Sequence, residues 1–244
     1  MFPQLYHTHN SRDADDLDFW LDLAKRQGGP ILELGCGTGR ILLLLARARH
    51  QVFGLDRDAE MLLYLKSTIP ESLRRSAHIF QGDMRAYHLS RTFPLIILPC
   101  NTYSTLPFGD RARTLDQVRR HLLPGGVFAL SIPNSEYLQQ LPRHAEPEVE
   151  DIFAHPVDGE PVQVSSAWKR SVDHLKITWI YDHLLPDGNV DRLSFQVSQQ
   201  IIPREIILTE FQTAGLQITG TFGDFDRSQF LPDSVYLIIT AQKI

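Results

Sequence analysis

The sequence predicts an α/β fold built on a parallel sheet, with a separate antiparallel segment late in the chain. Three observations carry this prediction. From about residue 15 to 132, short apolar runs alternate with helical patterns. A glycine cluster directly follows the first of those runs. After Pro133 the apolar period drops to two.

Asp15 to Lys25 places Leu17, Trp20, Leu21 and Ala24 at the three-four spacing of an amphipathic helix. Pro30 to Leu34 reads as the first buried strand, and Arg40 to Ala48 as the apolar helix behind it. Gln51 to Leu55 is a second strand, and Ala59 to Ser67 a second helix ending before Pro70. Ala77 to Gln81 and Leu95 to Leu98 are strands three and four. Arg111 to Leu123 is a helix stopped by Pro124-Gly-Gly126, and Val127 to Ile132 is strand five. Strands that alternate with helices form a parallel sheet covered on both faces. In the next stretch Ile177, Trp179 and Tyr181 share one strand face, and Leu193, Phe195, Val197 and Gln199 share another. Asp158-Gly159 and Pro186-Asp-Gly188 supply turns, so residues 134–203 read as a small antiparallel sheet. Arg204 to Ala214 returns to the helical period and is closed by Gly215. Leu216 to Thr221 and Val235 to Ala241 are the last strands.

At 244 residues, with 43% hydrophobic and 22% charged residues, the chain suits one globular unit with an insertion, or a core with a small satellite, and needs no staples for its core. Twenty-four basic against 29 acidic residues give a net charge of −5, which argues against nucleic acid or an anionic membrane as the main partner. Two cysteines, Cys36 and Cys100, exclude a disulfide scaffold. The longest apolar run, Ile41 to Ala46, is too short to span a bilayer, and the N-terminus lacks the basic and apolar regions of a leader. A cytoplasmic monomer or homodimer is expected.

The chemistry is concentrated in four short motifs. Glu33-Leu-Gly-Cys-Gly-Thr-Gly39 joins strand one to its helix, where glycines allow sharp turns and close approach of a ligand to main-chain N–H groups. A dinucleotide fingerprint would place its third glycine at position 40, which is Arg40. Asp56 closes strand two, where a carboxylate can accept from both hydroxyls of a ribose or cap the following helix. Gly82-Asp83-Met84 follows strand three, and Leu123-Pro-Gly-Gly-Val127 precedes strand five.

In this order and spacing the four motifs resemble those of the class I S-adenosylmethionine-dependent methyltransferases, and the likeness runs over nearly the whole chain. The resemblance implies a Rossmann-like seven-stranded sheet of order 3-2-1-4-5-7-6 with the last strand antiparallel. Residues 1–133 and 204–244 would form the core, and 134–203 a cover over the acceptor. It also implies S-adenosyl-L-methionine as donor and S-adenosyl-L-homocysteine as product. Glu33, Gly35, Cys36, Gly37, Gly39, Asp56, Arg57, Met61, Gly82, Asp83, Met84 and Asn101 would hold the donor. Asp83 would accept from the adenine amine, and Met84 would offer a backbone N–H and an apolar contact. The implied reaction moves a methyl group to an N or O nucleophile of a small molecule. Its rivals are an NAD-dependent oxidoreductase and a non-catalytic adenosyl-ligand binder.

Asn101, Tyr103 and Ser104 end strand four and are expected near the transferred methyl. The family's DNA-amino enzymes carry an Asn/Asp-Pro-Pro-Tyr-like motif there. The missing prolines in Asn101-Thr-Tyr103 argue against a nucleic-acid acceptor. Tyr6, His7, His9 and Arg12 read either as a lid, with Tyr6 or His9 near the acceptor, or as a solvated terminus. His7 and His9 lack a third ligand at suitable spacing, so no metal is expected. Trp168, Trp179 and Tyr181 either line an acceptor pocket or form the insertion's own core. His155 and His183 read as pocket bases or as solvated loop residues. Cys36 and Cys100 are expected at the ends of adjacent strands. Arg111, Arg113, Arg119 and Arg120 are expected to form a solvated helix face.

Overall fold

The computed structural model describes residues 2–12 and 15–243. A short helix, α1 (Phe2–Asn10), comes first, in a segment that carried no helical expectation. The alternating unit follows: α2 (Leu17–Gln27), β1 (Ile31–Leu34), α3 (Arg40–Arg47), β2 (Val52–Asp56), α4 (Ala59–Thr68), β3 (Ala77–Gln81), β4 (Phe93–Leu98), α5 (Phe108–His121) and β5 (Leu122–Pro133). A further short helix, α6 (Ser135–Gln140), leads into β6 (His144–Ala154), β7 (Pro161–Arg170), β8 (His174–Leu184) and β9 (Val190–Gln200). Then α7 (Arg204–Thr213), β10 (Leu216–Phe222) and β11 (Tyr236–Lys243) complete the chain.

Seven strands form one sheet in the order β10-β11-β5-β4-β1-β2-β3. Counted within that sheet alone this is 3-2-1-4-5-7-6, as the resemblance implies. β11 runs antiparallel to both neighbours, and the other contacts between adjacent strands are parallel. The central strands are apolar almost without interruption because helices cover both faces. Ile31, Leu95 and Ile97 pack against α2, α3 and α4, whereas Leu32, Leu34, Ile96 and Leu98 pack toward α5 and α7. Each such side chain contributes about 1.5–3 kcal/mol by leaving water.

The junction of α5 and β5 differs most from the sequence expectation. The helix ends at His121, not Leu123, and β5 begins at once. The Pro124-Gly-Gly126 stretch loops out within the strand, where pairing jumps from Phe93–Leu122 to Leu95–Val127. Proline cannot donate to a ladder. A Cβ on Gly126 would lie 2.9 Å from the Leu123 carbonyl oxygen and 3.0 Å from that of Phe93. The turn residues therefore belong to a bulge and not to a helix stop.

β6, β7, β8 and β9 form a second, wholly antiparallel sheet. Buried polar side chains tie both ends of this excursion to the core. At its start, Asn134 Nδ2 donates to the carbonyls of Pro232 (3.0 Å) and Ser234 (2.8 Å), while its Oδ1 caps α6 at Glu136 N. At its end, Arg111 donates to Gln200 Oε1 at 2.5 Å. Arg111 thus departs from the solvated face expected of it. It is buried, and its Nε and Nη2 meet the buried Glu210 carboxylate of α7. Arg113 and Arg120 do lie at the surface, in exposed ion pairs with Asp110 and Asp116.

Glu210→Ala would leave the Arg111 guanidinium buried without its counter-ion. We expect a loss of about 3–5 kcal/mol. Replacing both residues with apolar side chains of similar volume should cost less, as read by urea unfolding of the two variants.

Candidate active site

The glycine loop leaves β1 at the carboxyl edge of the sheet. Gly35, Gly37 and Gly39 all adopt positive φ (71°, 50° and 86°), which favours glycine. Main-chain N–H groups of Gly35 and Cys36 both donate to the Leu55 carbonyl, at 2.7 and 3.1 Å. Asp56 completes the junction: Oδ2 accepts from Gly37 N at 2.7 Å and Oδ1 from Asp58 N at 2.9 Å. Asp58 in turn caps α4 through the N–H groups of Glu60 and Met61. The Arg57 carbonyl accepts from Gln81 at 3.1 Å, which ties this turn to the end of β3. The three glycines differ in surroundings. A Cβ on Gly39 would lie 2.4 Å from Leu65 of α4, whereas one on Gly37 would meet nothing within 4 Å. Gly35 faces Thr102 and the Met84 side chain.

After β3, Gly82 leads to Asp83, whose carboxylate is held by Arg85 (Nε at 2.8 Å to each oxygen). That guanidinium brings the Asp83 carboxyl down to about 2 and also pairs with Asp110. After β4, Cys100 and Asn101 both take positive φ (59° and 61°), an uncommon state for non-glycine residues. Ser104 steadies this turn by donating to the Asn101 carbonyl at 2.6 Å. Tyr103 does not face the site. It is wholly buried on the other side of the turn and donates to Glu210 at 2.7 Å, so its expected place near the reacting atoms is corrected. The apolar ring finds the core while its hydroxyl finds a carboxylate. Ser104 is likewise buried.

Between the sheet edge, α1 and the second sheet lies a cleft of about 500 Å³. Its core wall includes Arg40, Cys100, Asn101 and Thr102, and its far wall comes from the face that carries Ile177, Trp179, Tyr181, Phe195 and Val197. The aromatic stripe of the insertion therefore lines the cleft. Trp168 does not, since it packs beside Leu138, Leu175 and Ile201 and donates to the Pro142 carbonyl.

α1 bridges the two sheets. His7 Nδ1 meets Thr38 of the glycine loop at 3.0 Å, and Leu5 packs with Phe153, Val162 and Tyr181 of the insertion. Arg12 reaches the Ile152 carbonyl and Asp151. Tyr6 lines the cleft, and burial pushes its phenol up to about 12. His9 meets the Tyr181 hydroxyl at 3.1 Å. His7 and His9 thus point to different partners. His155 and His183 are neither cleft-lining nor solvated: both are buried and stacked on each other. Cys36 is a buried free thiol and Cys100 an exposed one, each just past one of the paired strands β1 and β4.

Sequence reasoning missed an ion pair. Arg40 binds both oxygens of buried Asp16 at 2.6 Å, and Arg40 Nη2 also donates to Cys100 Sγ at 3.1 Å. Trp20 Nε1 holds the same carboxylate at 3.0 Å. All three charged or thiol groups line the cleft. An arginine at the first turn of α3 carried no signal of its partner, because Asp16 lies 24 positions earlier. Phe225 and Tyr236, whose rings pack 5.0 Å apart, also line the cleft from the far end of the chain.

A methyltransferase domain model matches residues 31–126. The chain is 25% identical over 229 residues to the "Putative methyltransferase YqeM" of Bacillus subtilis (strain 168), covering 92% of this chain and 88% of that one. It is 34% identical to the trans-aconitate 2-methyltransferase of Azoarcus sp. (strain BH72), over 43% of this chain and 39% of that protein. Its fold matches that of S-adenosylmethionine-bound CalS10, an amino pentose methyltransferase from Micromonospora echinaspora, with a TM-score of 0.74, 21% identity and coverage of 97% and 96%.

The chain carries a methyltransferase domain over residues 31–126, and its fold is that of the class I S-adenosylmethionine-dependent methyltransferases. Two observations at this edge fit S-adenosylmethionine, the group bound by CalS10. Gly37 leaves open space where a Cβ would stand. Glu33, 2% exposed, carries a buried Oε2 with no hydrogen-bond partner among the described residues. Burial drives its carboxyl well above the usual range, so a donor or cation arriving there would relieve a standing desolvation cost.

Two glycine substitutions should separate folding from binding in this methyltransferase. Gly39→Ala forces a clash with Leu65 at positive φ and should lower stability by about 1–3 kcal/mol. Gly37→Val should cost about 1–2 kcal/mol in backbone strain but abolish S-adenosylhomocysteine binding. Thermal unfolding and calorimetric titration of both proteins check the contrast.

Proposed function

We propose that this methyltransferase moves a methyl group from S-adenosylmethionine to a nitrogen or oxygen nucleophile of a compact organic molecule bound in the cleft. One observation carries the reading. Arg40 and the Cys100–Thr102 turn at the sheet edge and the aromatic face of the insertion are opposite walls of a single cavity of about 500 Å³, a size that suits a small molecule. The activities of two similar proteins, on trans-aconitate and on an amino pentose, support an acceptor of that class. The net charge of −5 supports it too, since a nucleic-acid partner would call for a basic surface.

When bound, the sulfonium supplies an already activated methyl, so the protein's work is alignment and exclusion of water. Glu33, Gly35, Cys36, Gly37 and Gly39 would cradle the amino-acid end. Asp56, flanked by Arg57 and Met61, would hold the ribose, since each of its oxygens keeps a lone-pair direction beyond the N–H it already accepts. Asp83, kept ionised by Arg85, would accept from the adenine amine, with Gly82 and Met84 beside the ring. Asn101 would sit under the methyl. The neutral phenol of Tyr6 can donate but cannot act as a base near neutral pH. A protonated acceptor would pass its proton to the Tyr181–His9 pair, which joins the cleft wall to a titratable ring.

A screen with methyl-labelled donor tests the reading. Label should enter small amines, hydroxy compounds or carboxylates. Label entering only nucleic acid or protein, or no acceptor at all, would defeat it, and tighter binding of NAD than of S-adenosylhomocysteine would restore the oxidoreductase. Asp56→Ala should weaken S-adenosylhomocysteine at least about tenfold, because hydrogen bonds to a charged group contribute roughly 1.5–3 kcal/mol each. Calorimetry on the folded variant decides this. Trp179→Ala, by contrast, should raise the acceptor KM at least about tenfold and leave S-adenosylhomocysteine affinity within a few-fold. Tyr181→Phe should lower kcat at least about tenfold with the same donor affinity, since positioned proton transfer contributes about 10²–10⁴-fold.

A further inference from the structure

We propose that His155, Asp158 and His183 form a binding site for a divalent transition ion of the zinc type, outside the cleft and independent of methyl transfer. His155 and Asp158 belong to the turn that joins β6 to β7, and His183 lies on β8 opposite Val162 of β7. The two imidazoles stack face to face, with centroids 4.0 Å apart and planes 17° apart. Both aim a ring nitrogen at the same carboxylate oxygen. His155 Nδ1 is 2.9 Å and His183 Nε2 is 3.2 Å from Asp158 Oδ1, which also accepts from Glu160 N at 3.1 Å.

Two imidazole nitrogens and one carboxylate oxygen are the donor set of zinc sites that keep a fourth position for water. The ligand atoms already lie within 4.8 Å of one another. Metal–ligand bonds of about 2.1 Å place tetrahedral ligands about 3.4 Å apart. The two distances to Asp158 therefore need to open by only a few tenths of an ångström. The exposures suit this: the histidine side chains are 2% and 10% exposed, whereas Asp158 is 43% exposed on its turn. Because the stacked ring planes are nearly parallel, the imidazoles must also turn about their side-chain bonds to aim both lone pairs at one point, and the exposed carboxylate is free to follow. On binding, each ring presents a lone pair to the ion and carries its N–H on the other nitrogen. The ion would cross-link the β6–β7 turn to β8. Next to it, Phe153 pairs with Val162, and these are the residues on which Leu5 of α1 rests. The ion would thus brace the surface that seats the N-terminal helix.

The test uses tag-free full-length protein stripped by a chelator, then dialysed to equilibrium against micromolar ZnCl₂ and assayed for metal by elemental analysis. We expect about one equivalent per chain, a rise in thermal midpoint with zinc, and the visible ligand-field absorption of a low-coordinate ion when CoCl₂ replaces ZnCl₂. His183→Gln and the surface substitution Asp158→Asn should each weaken binding at least about tenfold. His7→Gln and His9→Gln should leave it unchanged. S-adenosylhomocysteine binding confirms that each variant is folded, and Asp158→Asn keeps the test decisive should His183→Gln fail to fold. Absence of stoichiometric zinc, or binding that survives Asp158→Asn unaltered, would overturn the assignment.

Discussion

The buried contact between Arg111 and Glu210 holds together the parts of this protein that must act as one. Arg111 is fixed on α5 and Glu210 on α7. From that point the guanidinium also reaches the Leu106 carbonyl and Gln200, and the carboxylate takes the Tyr103 hydroxyl. Four segments thereby share one charge pair: two helices, the turn after β4 and the last residue of β9. A pair this deep carries a heavy desolvation cost, and it persists because these hydrogen bonds satisfy both groups together. The consequence reaches the cleft. The turn that carries Asn101 and the sheet that carries Trp179 and Tyr181 are both anchored to this pair, so the two walls of the cleft are fixed to a common frame.

Around that frame, the direction of the parallel strands does the assembling. Loops that leave the carboxyl ends of β1, β2, β3 and β4 must emerge on one edge, which gathers the glycine loop, Asp56, Asp83 and Asn101 from four separate stretches of sequence. Asp56 joins two of these loops by accepting from Gly37 and Asp58. β5 delivers the chain to the same edge at Pro133, where Asn134 turns it into the second sheet. α1 then closes the remaining side by touching Thr38 on the core and Phe153, Val162 and Tyr181 on the insertion.

Much of this was legible in the chain. Apolar runs of strand length marked the parallel strands, because a strand covered on both faces has no polar side to show. The glycine spacing marked the loop, because three alternating positive φ angles favour glycine. What escaped lay in pairs distant in sequence. Arg111 looked like one of several surface arginines, since nothing nearby showed Glu210 beneath it. Tyr103 looked like a site residue because it follows Asn101, yet the left-handed turn at Cys100 and Asn101 sends its ring into the core. Arg40 looked like a departure from a glycine motif, whereas its bidentate bond to Asp16 makes it part of the cleft wall. α1 has little amphipathic pattern, and its helix is held by contacts with two sheets rather than by local propensity.

The sequence by itself determined the strand and helix alternation, the glycine loop and its donor class, and the two-residue period of the insertion. These depend on backbone conformation and on which faces are covered, and both leave a local trace. Only the tertiary structure decided which face of the insertion looks into the cleft, that His155 and His183 meet over one carboxylate, and which arginine is buried. Those outcomes depend on desolvation and on the partner each charge finds after chain closure, and no local pattern records a partner that lies 24, 28 or 99 residues away.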